Sequence, residues 1–201
     1  DTNVVYIEED VPAWRNFGPT GVNLLHASYT HPAEYAALFQ IATLGTMVNG
    51  LTRSYRDGPG FNPGVIILER SIVSNAEVFA AESIANGSMS PVQQGLYELM
   101  HDMARGCMQM AFPRDNVTFT HVLLKTPPKV CIERVQAREN CTSDGENQIT
   151  LPYMQKLHEA HVRVFDDKTY MGKVVQVPFV EGEGEDATTD RVIRMCGLLS
   201  E

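Results

Sequence analysis

The chain has 201 residues, 43% hydrophobic and 20% charged, with a formal charge of −9. That length allows one domain with a substantial core, and the acidic balance excludes duplex nucleic acid or anionic membrane as a main partner, since both need basic surface. No run of roughly 18 apolar residues occurs, so no membrane-spanning helix is expected. The start, Asp1-Thr-Asn-Val-Val-Tyr6, has the form of neither a signal peptide nor a basic transit peptide. Cys107, Cys131, Cys141 and Cys196 are widely spaced and form no Cys-x-x-Cys pair, which reads as free thiols of a reducing compartment. The expected location is the cytoplasm, with mitochondria as the alternative. Asn86-Gly-Ser, Asn116-Val-Thr and Asn140-Cys-Thr are then chance matches to the glycosylation pattern.

In chain order, Asn3 to Glu9 is β-rich and ends in two acids, which predicts a strand with carboxylates at its tip. Asp10 to Asn16, with Pro12 and Trp14, is a loop or short helix, and a second short helix runs from Asn23 to about Tyr29. A long helix follows over about Ala33 to Ser54, with Leu38, Ile41, Leu44, Met47 and Leu51 at three- and four-residue steps. A loop spans Arg56 to Pro63. Gly64-Val-Ile-Ile-Leu-Glu-Arg-Ser71 is then an unbroken apolar run, the form of a parallel strand buried on both faces. It delivers an acid, a base and a hydroxyl to its carboxyl end, where ligands of open α/β sheets collect. A helix to about Ile84 follows. Ser90-Pro91 restarts another, to about Met110, with Ser as cap and Pro at the first position. Thr118 to Lys125 is a third strand and Lys129 to Arg138 a helix. Glu139 to Gln148 is polar and turn-rich, a mobile-loop candidate. Leu151 to about Phe165, Lys173 to Val180 and Thr188 to about Leu199 read as helix, strand and helix. The alternation gives an α/β fold with a mainly parallel sheet in a single domain over residues 1–201.

Three patterns carry no site. Gly182-Glu-Gly184-Glu would repel phosphate, and Gly172-Lys173-Val lacks the other residues of a Walker A loop. His158-Glu-Ala-His161 has the wrong spacing for a zinc protease. The informative set is Glu9 with Glu69 and Arg70 on one rim, plus Arg134 and Arg138 on the helix before the polar loop. Each has a structural alternative: a strand-capping ion pair for the first set, a solvated helix face for the second. Read together, carboxylates and arginines at strand tips fit phosphoryl transfer. Trp14, Tyr29, Phe39 and Gln40 come from neighbouring segments, and an aromatic plane with an amide suits a nucleobase.

The chain resembles the deoxynucleoside kinase family, the group of deoxycytidine kinase, mitochondrial thymidine kinase and the insect multisubstrate enzyme. The resemblance is carried by Glu9-x4-Trp14-Arg-Asn, Gly21-Val-Asn-Leu-Leu25, Tyr29-x2-Pro32, Phe39-Gln40, Glu69-Arg-Ser-Ile72 and Ile149-x-Leu-x-Tyr153-x3-Leu-His158. It implies a P-loop-kinase-like three-layer α/β/α fold and an ATP- and magnesium-dependent transferase of nucleotide salvage, acting on a deoxynucleoside 5′-hydroxyl with pyrimidines preferred. It further implies that Glu9 is the base, Arg70 its charge partner and Glu69 a magnesium ligand. Gln40 would read the base edge between Trp14 and Phe79, with Met47 and Asn75 beside it. Tyr29 and Glu146 would hold the 3′-hydroxyl. Arg134 and Arg138 would be lid arginines on the donor phosphates, although Asn140 stands where a further arginine is common. A homodimer through the helix Pro91 to Met110 is implied too.

In the family a central first strand and a Gly-rich phosphate loop precede the position of Glu9, whereas this sequence opens at what would be the second strand. Either a segment precedes it or another element fills that place, since a sheet without its middle strand exposes two hydrogen-bonding edges. Without that loop the 201 residues alone are expected to bind deoxynucleoside weakly and to show no appreciable kinase activity. The rival reading is a non-catalytic kinase-like structural subunit, such as the accessory subunit of respiratory complex I.

Overall fold

The computed structural model describes residues 4–56, 64–112, 117–166 and 172–197. Apart from Arg56, the loop expected over 56–63 lies outside them. Strand β1 (Val4–Ile7) leads through helices α1 (Val11–Arg15), α2 (Leu24–Thr30) and α3 (Pro32–Arg56) to β2 (Val65–Leu68). β1 and β2 pair in parallel, Val4 opposite Val65 and Ile7 opposite Leu68. Next come α4 (Ile72–Ser74), a π-helical segment (Asn75–Ala80), α5 (Ala81–Ala85) and α6 (Pro91–Ala111). β3 (Thr120–Lys125) passes through α7 (Pro128–Gln136), a 3-10 turn (Glu146–Gln148) and α8 (Leu151–Asp166) to β4 (Lys173–Pro178), and α9 (Glu185–Cys196) is the last described element. β3 and β4 are also parallel. Parallel neighbours need long crossovers, which the helices between them supply. Among the described residues the strands make two separate two-stranded sheets. No described helix is long and apolar enough to cross a membrane.

The apolar run of β2 is less covered than its sequence suggests. Ile67 is 42% exposed, and its register partner Tyr6 stands on the same open face. The opposite face turns to α3, where Gly50 lies so close to β1 that a Cβ there would stand 2.9 Å from Ile7 Cγ2. α3 also differs from the expected stripe: Leu44 and Leu51 are buried, but Leu38 is exposed because Ala37, Phe39 and Gln40 face inward instead.

Three apolar clusters hold these elements. Ala37, Leu44, Ala80, Met89, Tyr97 and Ala104 join α3 to α6. Trp14, Leu24, Leu25, Phe39 and Ala42 lock α1 and α2 onto α3. Val78, Leu157, Ala160, Val164 and Phe165 join the π segment to α8, with Leu123 and Val174 of the second sheet against them. Residues 75–80 thus contribute to two clusters, and fully burying a side chain such as Val78 is worth about 1.5–3 kcal/mol. The run after Ser71 is continuous as expected, yet changes pitch. Ser71 caps it through a reciprocal pair with Ser74, and the ladder widens to a π turn over Asn75–Ala80. α6 begins as its sequence implies, with Ser90 and Gln93 capping each other and Pro91 at the first turn.

Candidate active site

Because β1 and β2 are parallel and in register, both deliver their C-terminal residues to one rim. The ladder extends one step further through Glu69 N to Ile7 O, 3.0 Å. Beyond it Arg70 adopts φ 64°, the left-handed region, and is alone in this among the described non-glycine residues. A bulky side chain holds that conformation only where its surroundings impose it. Here they do. Arg70 Nε lies 2.8 Å from Glu9 Oε1, and its guanidinium sits 4.4 Å above the Phe79 ring. Glu9 N donates to Glu69 Oε2 at 3.4 Å.

The rim opens into a cleft bordered by Glu9, Asp10, Trp14, Thr43, Met47, Glu69, Arg70 and Asn75. Burial raises the pKa of Glu9, the Arg70 charge opposes that rise, Glu69 adds to it and Arg138 lowers it. A carboxylate so placed is a stronger base than an exposed one, while its cationic neighbour keeps the ionised form accessible. Trp14 is fixed by its indole N–H donating to Thr46 Oγ1 at 3.2 Å and by the Phe39 ring edge-on at 5.3 Å. Phe39 therefore supports Trp14 from the core. Gln40 is buried one residue behind the cleft wall and accepts from Asn75 Nδ2 at 2.9 Å. Phe79 is half-buried between the Arg70 guanidinium and an edge-on His161.

The polar loop 139–148 is anchored rather than loose. Arg15 grips the buried Asp144 with two nitrogens, Nη2 at 2.6 Å and Nε at 3.0 Å. Asn23 Nδ2 donates to Ser143 O at 3.1 Å. Gly145, at φ 74°, packs its α-carbon against His26 and Tyr29, where a Cβ would meet His26 O at 3.1 Å. Glu146 is buried and paired with Arg138 at 2.6 Å. Tyr29 lies in the field of Glu146, Arg138 and Arg70, and burial pushes its pKa well above the usual tyrosine value, so the phenol stays a donor. Arg134 stands apart from this group, 6.0 Å from the Phe179 ring.

Glu9, Trp14, Met47, Glu69, Arg70 and Asn75 thus share one cleft, with Gln40 and Phe79 behind it and Tyr29, Arg138 and Glu146 clustered at the loop. Sequence reasoning quoted Arg15 in a motif without giving it a role, and it missed Thr43, Tyr97 and Asp144. Arg15 stood in the Trp14 motif and Asp144 was an acid in a turn, but 129 positions separate them and nothing local pairs them.

A parallel α/β protein that sets an acid, an arginine and a second acid at adjacent strand ends has the layout of a phosphoryl-transfer site. The chain belongs to the deoxynucleoside kinase family, whose sequence pattern matches residues 1–194, and so to the P-loop-kinase-like α/β class. It is 26% identical over 200 residues to a probable deoxycytidine kinase of fowlpox virus (strain NVSL), covering 100% of this chain and 77% of that protein. It is 30% identical over 160 residues to the thymidine kinase of Ictalurid herpesvirus 1 (strain Auburn), covering 80% and 61%. Deoxycytidine kinase 2 of Gallus gallus is 26% identical over 169 residues, covering 83% and 61%. The chain therefore spans about three-fifths of the latter two relatives.

Kinases of this class use magnesium. No group of three His, Cys, Asp or Glu side chains able to hold a metal occurs among the described residues. Magnesium, however, is commonly held by one or two carboxylates with phosphates and water. Glu69 is exposed at the rim and pairs with no cation among the described residues, so the donor set fits the ion.

Proposed function

We propose that the protein is a deoxynucleoside 5′-kinase of nucleotide salvage, moving the γ-phosphoryl of ATP to a pyrimidine deoxynucleoside. The observation that carries this reading is the 2.8 Å Glu9–Arg70 pair beside Glu69 at the ends of two parallel strands. Glu9 accepts the proton of the 5′-hydroxyl as that oxygen attacks, and Arg70 balances its charge. ATP as its magnesium complex would supply the phosphoryl group and leave as ADP, and Glu69 is the residue that would hold the metal. Arg138 turns from Glu146 to the donor phosphates, joined by Arg134, and the freed Glu146 with the protonated Tyr29 phenol holds the 3′-hydroxyl. Trp14, with Phe39 behind it, and Phe79 flank the base, Gln40 reads its edge, and Met47 and Asn75 line the side. The relatives' names refer to deoxycytidine or thymidine, which supports the pyrimidine preference. The protein works as a homodimer through α6, and its four free cysteines suit the cytoplasm.

Incubation of a form that carries an upstream strand and Gly-rich phosphate loop with ATP, magnesium and each of the four deoxynucleosides, followed by chromatography, tests the reading. The expected product is a 5′-monophosphate, formed fastest from deoxycytidine or thymidine. Absence of any monophosphate sinks the activity, and a faster purine product sinks the preference.

A further inference from the structure

Four buried side chains from α3, the π segment and α6 form one hydrogen-bonded chain. Thr43 Oγ1 contacts the Gln40 main-chain oxygen at 2.8 Å, and Asn75 Nδ2 contacts Thr43 Oγ1 at 2.7 Å and Gln40 Oε1 at 2.9 Å. Tyr97 Oη contacts Asn75 Oδ1 at 2.7 Å. The two ends of an amide have almost the same shape, so its polarity has to be argued from its partners.

Here one atom fixes every direction. The main-chain oxygen of Gln40 can only accept, so Thr43 must spend its single hydroxyl proton on it. Towards Asn75, Thr43 can then only accept, which makes the near atom of Asn75 its NH₂ group. That same NH₂ faces Gln40, so Gln40 must present Oε1 to it. Tyr97 completes the set by donating to the remaining oxygen of Asn75. Gln40 Nε2 is left as the free end of its amide, with no partner among the described residues. Reversing any amide would oppose two donors or two acceptors in a buried site, the costly case for polar groups.

We propose that Thr43, Asn75 and Tyr97 form a latch that holds Gln40 in one orientation and thereby selects between the two pyrimidine edges. This rests on the nucleoside kinase reading above. Cytosine offers a ring-nitrogen acceptor beside an amino donor, whereas thymine offers a ring N–H donor beside a carbonyl acceptor. A glutamine free to flip serves both. A latched one meets one pattern and opposes the other. Asn75, with both N–H bonds and its oxygen already engaged, is a positioning residue rather than a reader of the base.

Titration calorimetry with deoxycytidine and thymidine tests this on the parent and on Thr43→Val, Thr43→Ser and Tyr97→Phe. The parent should bind one nucleoside roughly 10- to 100-fold more tightly than the other. Thr43→Val frees Asn75 and Gln40 to turn together, so the ratio should fall towards one. Thr43→Ser keeps the hydroxyl and should keep the ratio. Tyr97→Phe removes a partner but not the origin of the polarity, so it should lower the melting temperature and leave the ratio in place. Equal affinities in the parent, or an unchanged ratio in Thr43→Val, would overturn the latch. If the parent binds neither nucleoside, the kinase reading fails, and the latch is judged by NMR exchange of the Asn75 side-chain amide protons. These should be protected in the parent and exchange faster in Thr43→Val, and unprotected protons in the parent would overturn the latch independently.

Discussion

Glu9 combines partial burial with an arginine partner, and these act in opposite directions on its proton. Glu9→Gln should lower turnover roughly 10²- to 10⁴-fold while leaving nucleoside affinity nearly intact, because the lost interaction belongs to the transition state. An unchanged kcat in steady-state assays of a catalytically competent form that carries the phosphate loop would remove Glu9 from the chemistry. Its raised pKa also places the acid limb of the kcat/KM profile above the ordinary carboxylate range. Arg70→Gln deletes the main lowering influence and should move that limb further towards neutral pH. For stability the sign is opposite. Between the ordinary glutamate value and the raised one, the folded state holds a proton that the unfolded chain has lost. The contribution of Glu9 to stability therefore falls as pH rises through that window. A pH–rate profile of Arg70→Gln that coincides with the parent would contradict the assigned coupling.

At the scale of elements, the loop 139–148 is tied to α1 by the Arg15–Asp144 pair and to α2 by Asn23 and Gly145. Asp144 is only 2% exposed, whereas the Arg15 side chain is 38% exposed, so solvent screens part of the pair. Asp144→Ala should cost about 1–2 kcal/mol and speed amide hydrogen exchange through residues 139–148. Exchange unchanged there would show that the loop is held by something else. This loop also marks the limit of what the sequence discloses. Its polar composition suggests mobility, and only a partner 129 residues away reveals the anchor. Glu9, Glu69 and Arg70 were legible because an apolar strand ending in charge is a local pattern. The π turn was not, since widening the ladder by one residue leaves the apolar periodicity of 72–85 almost unchanged. The latch around Gln40 joins three elements and has no local signature at all.

At the scale of the whole molecule, α6 has two unlike faces. Tyr97 and Ala104 point into the core, while Val92, Leu96, Leu99, Met103 and Met110 form an exposed stripe with helical spacing. Leu99 and Met103, at 59% and 57% exposure, are its centre. Pairing two such stripes would bury apolar surface that a monomer leaves in water. Leu99→Glu should therefore halve the sedimenting mass of the parent at micromolar concentration without changing its helical content. A parent that already sediments as a monomer would refute the dimer.

Gly50 has no reactive group, yet it governs how closely α3 approaches the strand that leads to Glu9. Replacement by alanine ranks as conservative in any substitution table, and in a helix interior it gains about 0.5–1 kcal/mol. The added methyl would nevertheless stand 2.9 Å from Ile7 Cγ2, two residues before Glu9, so that side chain or the helix must shift. Small misplacements of a reacting group can cost far more in rate than in stability. Gly50→Ala should melt at or above the parent temperature while kcat falls roughly tenfold or more, and equal turnover would show that the strand tip absorbs the shift. A variant screen scored by solubility or melting point would pass this substitution as harmless, and a genetic screen would record it as a loss of function.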